Sequence, residues 1–379
     1  MKITPPPPSH VQEAKHTDER KQRYEALGGL RGTAAVIVAF IWHYQHFKPE
    51  SFPFSGILYL PYAYGWVMVE LFFMLSGFIF FNKYGKEISE HSLSKRDFFI
   101  LRFSRLYPLH WLTLFIVITV KFVLKRYTGS AFFVYHNNNI FFFLQNILCI
   151  QNGWLQTDFS FNGPAWSISV EIMMYIVFYT LFYHVRNGKT SLIACLFLIY
   201  TGLMMYTSGW NKPVFNDQIG VGLMCFFIGC VTGKLLNYCK TNIKLERLII
   251  CASIFVILAL SVIVMVYRHE YLIFMGIFLF FPAALIVSLR IRIISSILSL
   301  KPLLYLGEIS YSIYLMHFPI QLIIITIAII FDLKINYSSG IFFFIFILTV
   351  ITASHIVHYC FEKPVQNFIR NRLMIKAAK

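Results

Sequence analysis

Residues 65–82 read GWVMVELFFMLSGFIFFN, and this stretch decides the fold class because it contains a single ionisable residue, Glu70. An α-helix rises about 1.5 Å per residue, so a helix over this stretch is about 27 Å long. That length is close to the roughly 30 Å of hydrocarbon that a membrane-spanning helix must cross. The stretch therefore predicts a transmembrane helix.

The composition of the chain extends this prediction to the rest of the protein. Hydrophobic residues make up 58% of the 379 residues, and charged residues make up 13%. Soluble domains carry roughly 25% charged residues, so this chain cannot give a water-soluble globule a normal polar surface. Its apolar residues form blocks about 20 residues long, as in transmembrane helices, whereas transmembrane β-barrels alternate in segments of about ten. The sequence predicts an all-α polytopic membrane protein.

Ten apolar segments predict about ten transmembrane helices. They cover residues 29–47, 65–82, 106–124, 164–184, 190–208, 217–236, 248–267, 271–289, 305–331 and 340–360. A further apolar region, 131–150, is interrupted by His136 and three Asn residues, and its second half is too short to cross a membrane. We expect this region to stay on the outer side as a re-entrant or interfacial hairpin.

The distribution of charge predicts the orientation of these helices. The formal net charge is +16, and with the N-terminus in the cytoplasm most of the 33 Lys and Arg residues fall in inner segments. Positive residues are enriched in cytoplasmic loops, so both termini are predicted to be cytoplasmic. Topology thus explains the charge without nucleic acid, and the expected partners include membrane lipids. The expected location is a cell membrane, the inner membrane in a bacterium.

The chain is predicted to contain one membrane domain and two tails. Residues 1–27 are polar and lack the apolar core of a signal peptide, which predicts a disordered cytoplasmic tail that is not cleaved. Residues 28–364 are the membrane domain, and residues 365–379 are a basic cytoplasmic tail. The seven Cys residues show no Cys-x-x-Cys spacing, which argues against a zinc site and a disulfide framework. We expect no bound metal.

Two ionisable residues within the predicted helices, His43 and Glu171, are candidates for catalysis because such side chains are costly in a membrane. His43 can act as a general base, although a single membrane histidine is often only a hydrogen-bond partner between helices. Glu171 lies at a comparable depth, so we expect it to orient His43 and stabilise its charge. Glu70 is a second intramembrane carboxylate, and helix packing or pairing with an arginine would explain it equally well.

Two arginines precede the third predicted helix. Arg102 and Arg105 are three residues apart, so they share one helical face. The general enrichment of positive residues on the cytoplasmic side could account for them. Guanidinium groups also bind phosphates through paired hydrogen bonds, which favours a cytoplasmic phosphorylated ligand.

Polar residues in other helices are candidates for contact with a substrate. Tyr314 and His317 share one face of the ninth predicted helix. Tyrosines at a helix entrance are often interfacial anchors, but His317 lies too deep for that role and is expected to line the cavity of the catalytic residues. Ser167 lies one turn before Glu171, and His46 lies one turn beyond His43, so both are further candidates for substrate binding.

Several short motifs follow one another along nearly the whole chain. They are Gly29-Leu30-Arg31-Gly32 with a following histidine, Leu71-Phe72-Phe73 with Ser76-Gly77-Phe78, Arg102-x-x-Arg105 before Tyr107-Pro108, Trp166-Ser167-x-x-x-Glu171, Ile309-Ser310-Tyr311-x-x-Tyr314-x-x-His317, and Glu362-Lys363-Pro364. Each motif is weak alone, but their order and number resemble the acyltransferase 3 family of integral-membrane acyltransferases. The resemblance runs from residue 28 to residue 364.

This resemblance implies ten helices, a cytoplasmic N-terminus, acetyl-CoA or another acyl-CoA as the donor, and acyl transfer to a hydroxyl, commonly of a cell-surface carbohydrate. It implies that His43 is the catalytic histidine and that Arg31, Arg102 and Arg105 bind the donor. The spacing differs in one place, because eleven residues separate Arg31 from His43 where the family has ten, an offset of about 100° on a helix. A π-bulge could absorb the extra residue, or His46 could share the catalytic role.

These observations predict a membrane O-acyltransferase that modifies a lipid-linked or polymeric surface glycan. A small-molecule or lipid acceptor is the alternative among enzymes. A proton-coupled transporter is the alternative from another class, because intramembrane carboxylates and histidines also occur in such carriers. Inverted internal repeats would favour a transporter, and none is visible in the sequence.

Overall fold

The computed structural model describes residues 25–129, 135, 137–267 and 270–374. In these ranges the regular structure is helical, and the β-structure is an isolated bridge between Asn211 and Asn216. Nine of the described helices are long and apolar enough to cross a membrane, or ten if a pair bent by 95° counts as one crossing. The predicted all-α polytopic membrane fold is therefore confirmed.

The helices follow the order of the predicted segments. They are α1 Glu25–Phe47, α2 Ser55–Tyr64, α3 Val67–Ser89, α4 Lys95–Thr128, α5 Ile140–Leu148, α6 Trp166–His184, α7 Gly188–Thr207, α8 Asp217–Cys239, α9 Ile243–Tyr267, α10 Glu270–Arg290, α11 Arg292–Leu298, α12 Lys301–Glu308, α13 Ser310–Ile330, α14 Gly340–Val357 and α15 Lys363–Leu373. The short helices α2, α11 and α15 were not predicted from the sequence, and the predicted segment 305–331 is divided between the end of α12 and α13.

Helix ends differ from the predicted bounds where polar residues continue a helix. α4 begins eleven residues before the predicted start at 106, because the Ser94 side chain caps it by accepting a hydrogen bond from the Asp97 amide at 3.0 Å. α1 includes the buried residues Ala26 and Leu27, which lie in the predicted N-terminal tail. The rest of that tail, residues 1–24, and the last five residues of the predicted C-terminal tail lie outside the described residues.

The chain divides into two compact units. Unit 1 comprises the described residues of Met1–Thr33 and Asn242–Glu308, and unit 2 comprises those of Ala34–Thr241 and Ile309–Lys379. In unit 1, Arg290 Nη1 and Glu246 Oε1 form an ion pair of 2.7 Å that joins α10 to α9. Unit 2 holds His43, Glu171 and the other candidate site residues except Arg31.

Helices α3 and α8 of unit 2 approach each other at two glycines. A Cβ atom built on Gly77 would lie 1.8 Å from the Phe226 carbonyl oxygen, and one built on Gly229 would lie 2.0 Å from the Met74 carbonyl oxygen. Neither space admits a side chain, so the two backbones are in direct contact here. Close approach through small residues is a common way for membrane helices to associate.

The region predicted as an outer hairpin contains α5, which has nine residues and is too short to cross a membrane. Its last three carbonyl groups lie at the helix end, where intrahelical partners run out, and of these three the Asn146 oxygen also accepts from the Cys149 amide at 3.1 Å. Side chains in the middle of α4 satisfy them. Tyr107 hydrogen bonds the Leu148 oxygen at 3.0 Å, His110 the Asn146 oxygen at 2.8 Å and Trp111 the Ile147 oxygen at 2.9 Å. This region therefore folds back against α4, while residues 131–134 and His136 lie outside the described residues.

Candidate active site

The candidate catalytic histidine lies where α1 changes its helical form. The segment Ile37–Ile41 is a π-helix, and Trp42–Phe47, which contains His43, is a 3-10 helix. A π-helical turn accommodates an extra residue, so it absorbs the additional position between Arg31 and His43. The proposed π-bulge is confirmed.

His43 forms a hydrogen bond with a second histidine. His43 Nδ1 and His317 Nε2 are 2.9 Å apart, and the two rings stack with their centroids 4.7 Å apart. The other ring nitrogen of His317, Nδ1, is 3.3 Å from the Ile313 carbonyl oxygen in the preceding turn of α13. Gln321 Nε2 donates to the His43 carbonyl oxygen at 2.9 Å and fixes the backbone of the same residue.

The carbonyl oxygen of Ile313 determines the proton positions in this chain. A carbonyl can only accept a hydrogen bond, so His317 Nδ1 carries the proton that points to it. In neutral His317, Nε2 is then an acceptor, and His43 Nδ1 must be the donor between the rings. The remaining nitrogen of a neutral His43, Nε2, therefore carries a lone pair. That is the state a general base requires.

His46 lies on the other side of the His43 ring. Their ring centroids are 5.3 Å apart and the planes are inclined by 17°, while the Phe318 ring contacts His46 edge-on at 5.4 Å. His46 Nδ1 is buried and has no hydrogen-bond partner among the described residues. In the described ranges, no group of three or more His, Cys, Asp or Glu is arranged to hold a metal ion.

Ser167 and Tyr314 meet beside this histidine chain. The Ser167 hydroxyl is 2.9 Å from the Tyr314 hydroxyl, which also donates to the Pro164 carbonyl oxygen at 2.7 Å. The Tyr314 ring lies 6.1 Å from the His317 ring. The structure thus brings Ser167, Tyr314, His317 and His46 into the neighbourhood of His43.

Tyr135 also belongs to this neighbourhood, although no motif of the sequence pointed to it. Its ring centroid lies 5.6 Å from that of Phe318, and a Cβ at Gly163 would collide with the Tyr135 ring at 2.3 Å. Burial raises the pKa of Tyr135 to about 12, so its hydroxyl stays protonated at neutral pH. The absence of a side chain at Gly163 makes room for this ring.

Glu171 does not pair with His43, contrary to the prediction. Its Oε1 atom accepts hydrogen bonds from the Ser76 hydroxyl at 2.7 Å and from the Tyr175 hydroxyl at 2.5 Å. Equal depth in two helices does not place two side chains together, because each also needs the right rotation about its helix axis. Glu171 faces α3, whereas His43 faces α13.

Among the residues that the structure describes, no arginine pairs with Glu70, and such a pair was one of its two explanations. It is 5% exposed, and its Oε2 atom has no hydrogen-bond partner among the described residues. It lies within electrostatic reach of Tyr314 and Cys225. Helix packing is therefore the explanation that remains for Glu70, and its Oε2 atom is an unused hydrogen-bond acceptor.

The predicted donor-binding arginines differ in their surroundings. Arg102 is 7% exposed and donates from Nη2 to the Tyr84 hydroxyl at 2.6 Å. Its guanidinium lies 4.7–5.9 Å from the ring centroids of Phe80, Tyr84, Phe98 and Tyr175. Arg105 is half-buried and within electrostatic reach of Tyr175. Arg31 lies in unit 1, on the first turns of α1.

The motif Glu362-Lys363-Pro364 has a structural explanation in unit 2. Glu362 Oε2 accepts from the Ser312 hydroxyl at 2.5 Å and contacts His358 Nδ1 at 3.0 Å. Glu362 ends the π-helical turn His358–Glu362, and Lys363 and Pro364 begin α15. This carboxylate therefore ties the turn after α14 to α13, the helix of His317.

Comparison with known proteins gives the family of the chain. The acyltransferase domain family matches residues 24–358. YrhL of Bacillus subtilis, provisionally named a peptidoglycan O-acetyltransferase, is 23% identical over 93% of this chain and 56% of its own length. The peptidoglycan O-acetyltransferase OatA of Listeria monocytogenes is 24% identical over 81% of this chain and 51% of its own length.

A third relative, the acyltransferase MdmB of Streptomyces mycarofaciens, is 30% identical over 42% of this chain and 39% of its own length. The chain spans about half the length of YrhL and OatA and less of MdmB. No solved structure matches the chain.

Proposed function

The chain belongs to the acyltransferase 3 family, and from this premise we propose that it is a membrane O-acetyltransferase. It transfers an acetyl group from cytoplasmic acetyl-CoA to a hydroxyl of a cell-surface or lipid-linked glycan, and it works in the inner membrane of a bacterium. The peptidoglycan O-acetyltransferases among its relatives support a glycan as the acceptor.

The observation that carries this proposal is the hydrogen-bonded chain from His43 through His317 to the Ile313 carbonyl oxygen. It leaves the lone pair of His43 Nε2 free to take a proton from the acceptor hydroxyl. The resulting alkoxide oxygen attacks the thioester carbonyl of acetyl-CoA, forming the C–O bond of the ester as the C–S bond breaks. The imidazolium then returns its proton to the thiolate of CoA, so the histidine is regenerated.

His317 is a positioning residue in this mechanism. By accepting the Nδ1 proton of His43 it holds one tautomer and one ring orientation, and it stabilises the imidazolium that forms during transfer. Ser167, Tyr314 and His46 surround the histidines and supply polar groups for the acceptor. Glu171 supports this region through its bonds to Ser76 and Tyr175.

The arginines bind the phosphates of the donor. Arg102 and Arg105 offer guanidinium groups that fit phosphate oxygens in pairs. For Arg31 a part in donor binding rests on the family resemblance alone. The aromatic rings around Arg102 hold its charge in place without neutralising it. A phosphate can therefore complete the coordination of this guanidinium.

The test uses the purified full chain in lipid nanodiscs with radiolabelled acetyl-CoA and peptidoglycan fragments as the acceptor. Substituting His43→Ala should reduce transfer by roughly 10² to 10⁴, the contribution of a general base. His184→Ala, at the exposed end of α6, is the matched control and should retain activity. Wild-type activity in His43→Ala, with acetyl-CoA binding intact, would exclude the mechanism.

A further inference from the structure

Arg370 lies against the face of α4 that carries the donor-binding arginines. Its Nε donates to the Ser104 hydroxyl at 3.1 Å, and its Nη2 to the Leu101 carbonyl oxygen at 3.5 Å. A second contact between the same helices, from Arg96 Nη2 to the Leu373 carbonyl oxygen at 3.1 Å, holds α15 beside the start of α4. Arg370 is thus fixed in the fold and does not belong to a free tail.

Three guanidinium groups gather at this place. Arg102 and Arg105 are both within electrostatic reach of Arg370. In the described part of the chain none of the three forms an ion pair with a carboxylate, whereas Arg290 does so with Glu246. Like charges repel each other, so such a cluster is unfavourable until an anion binds.

The second observation is that Arg102 has an unused donor inside the protein. Its side chain is 7% exposed, yet Nε has no hydrogen-bond partner among the described residues. Buried donors are normally satisfied, and an unsatisfied one needs an explanation such as an absent ligand. The Tyr84 hydroxyl accepts from a different nitrogen of the same guanidinium, Nη2, and so leaves Nε without an acceptor.

We propose that Arg370 is the third arginine of an organic-phosphate site with Arg102 and Arg105, and that α15 is part of the donor-binding site. The inference rests on the proposed function, which makes acyl-CoA the donor. Acyl-CoA carries several phosphate groups and is therefore the ligand that we assign to this site. Arginine is suited to this task, since its planar fork binds two oxygens of one phosphate. The phosphates of anionic lipid headgroups have the same chemistry, so the experiment must separate the two sources.

The experiment measures binding of CoA to the full chain in nanodiscs made of zwitterionic lipid. Arg370→Ala should weaken binding by roughly 10-fold or more, because a hydrogen bond to a charged group is lost, and Arg370→Lys should rescue only part of it. Arg372→Ala is the matched control on the same helix, where the guanidinium lies over the Phe368 ring at 5.7 Å. The control should bind CoA as the wild type does.

A second measurement separates binding from structural damage. Acetyl-pantetheine has the thioester of the donor but no phosphates, so Arg370→Ala should raise KM for acetyl-CoA and leave transfer from acetyl-pantetheine unchanged. An equal loss with both donors would give Arg370 a purely structural role and overturn the inference.

The remaining outcomes distinguish the inference from the proposed function. If the wild type itself does not bind CoA, the proposed function fails. If Arg370→Ala binds CoA normally, the proposed function stands and the inference fails. If the variant instead loses affinity for phosphatidylglycerol in mixed nanodiscs while CoA binding is unchanged, the arginines hold a lipid headgroup, which also overturns the inference.

Discussion

The tautomer of His43 depends on its hydrogen bond to His317 in α13. His317→Phe removes the acceptor for the Nδ1 proton of His43 while keeping an aromatic ring, so we expect transfer to fall by roughly 10-fold to 100-fold. His317→Gln offers a carbonyl oxygen in place of Nε2 and should recover part of the loss. Steady-state kinetics of both variants measure the difference, and equal activities of the Phe and Gln variants would contradict the positioning role.

Glu171 should be coupled to Ser76 and not to His43, because its carboxylate accepts the Ser76 hydroxyl at 2.7 Å. In a double-mutant cycle on thermal stability, Glu171→Ala and Ser76→Ala should show an interaction energy of about 0.5–3 kcal/mol. The control cycle with His43→Ala should be additive within about 0.5 kcal/mol. Additivity in the first cycle would show that Glu171 and Ser76 do not interact.

At the level of single residues, the sequence identified which side chains are unusual but not which ones meet. His43, Arg102 and Glu171 stand out because ionisable groups are costly among apolar residues. Partners depend on rotation about each helix axis and on neighbouring helices, so the Glu171 partner was predicted wrongly. Arg370 gave no signal, because a basic residue after the last predicted helix looks the same whether it docks or lies in solvent.

Disrupting the contact between α3 and α8 should cause an easily measured loss of stability. Gly77→Ala places a Cβ 1.8 Å from the Phe226 carbonyl oxygen, so the two backbones must separate. Overpacking of this kind should lower stability by about 1–3 kcal/mol, observed as a lower Tm in detergent. Gly56→Ala is the control, since a Cβ there meets nothing within 4 Å. Equal losses at both glycines would show that α3 and α8 tolerate separation.

The elements themselves were largely predictable, because apolar length fixes a membrane-spanning helix. The extra residue between Arg31 and His43 even indicated the local form of α1, and the π-helix Ile37–Ile41 confirms it. Short helices such as α2 and α15 escaped prediction, since their lengths and mixed polarity resemble loops. The carbonyl groups at the end of α5 could not be assigned either, because their partners in α4 are tertiary contacts.

The distribution of Lys and Arg along the chain predicts that both termini are cytoplasmic. The loop between α6 and α7, next to Lys189 in the first turn of α7, should then face the cytoplasm, and the loop containing Lys334 should face outward. Between these loops lie α7, α8, α9, the bent pair of α10 and α11, and α13. The two loops fall on opposite sides only if the bent pair crosses the membrane, because five crossings invert the side and four do not.

Labelling with a membrane-impermeant maleimide tests this arrangement. The exposed Cys251 and Cys360 are first replaced by Ser, and Lys189→Cys and Lys334→Cys are then introduced separately. We expect Lys334→Cys to react in intact cells and Lys189→Cys to react only after permeabilisation. Protection of both in intact cells would show that the bent pair is re-entrant, because Lys334 would then lie on the cytoplasmic side together with Lys189. The reverse pattern would place the N-terminal half of α4, with Arg102 and Arg105, on the side away from cytoplasmic acyl-CoA and would exclude the proposed donor site.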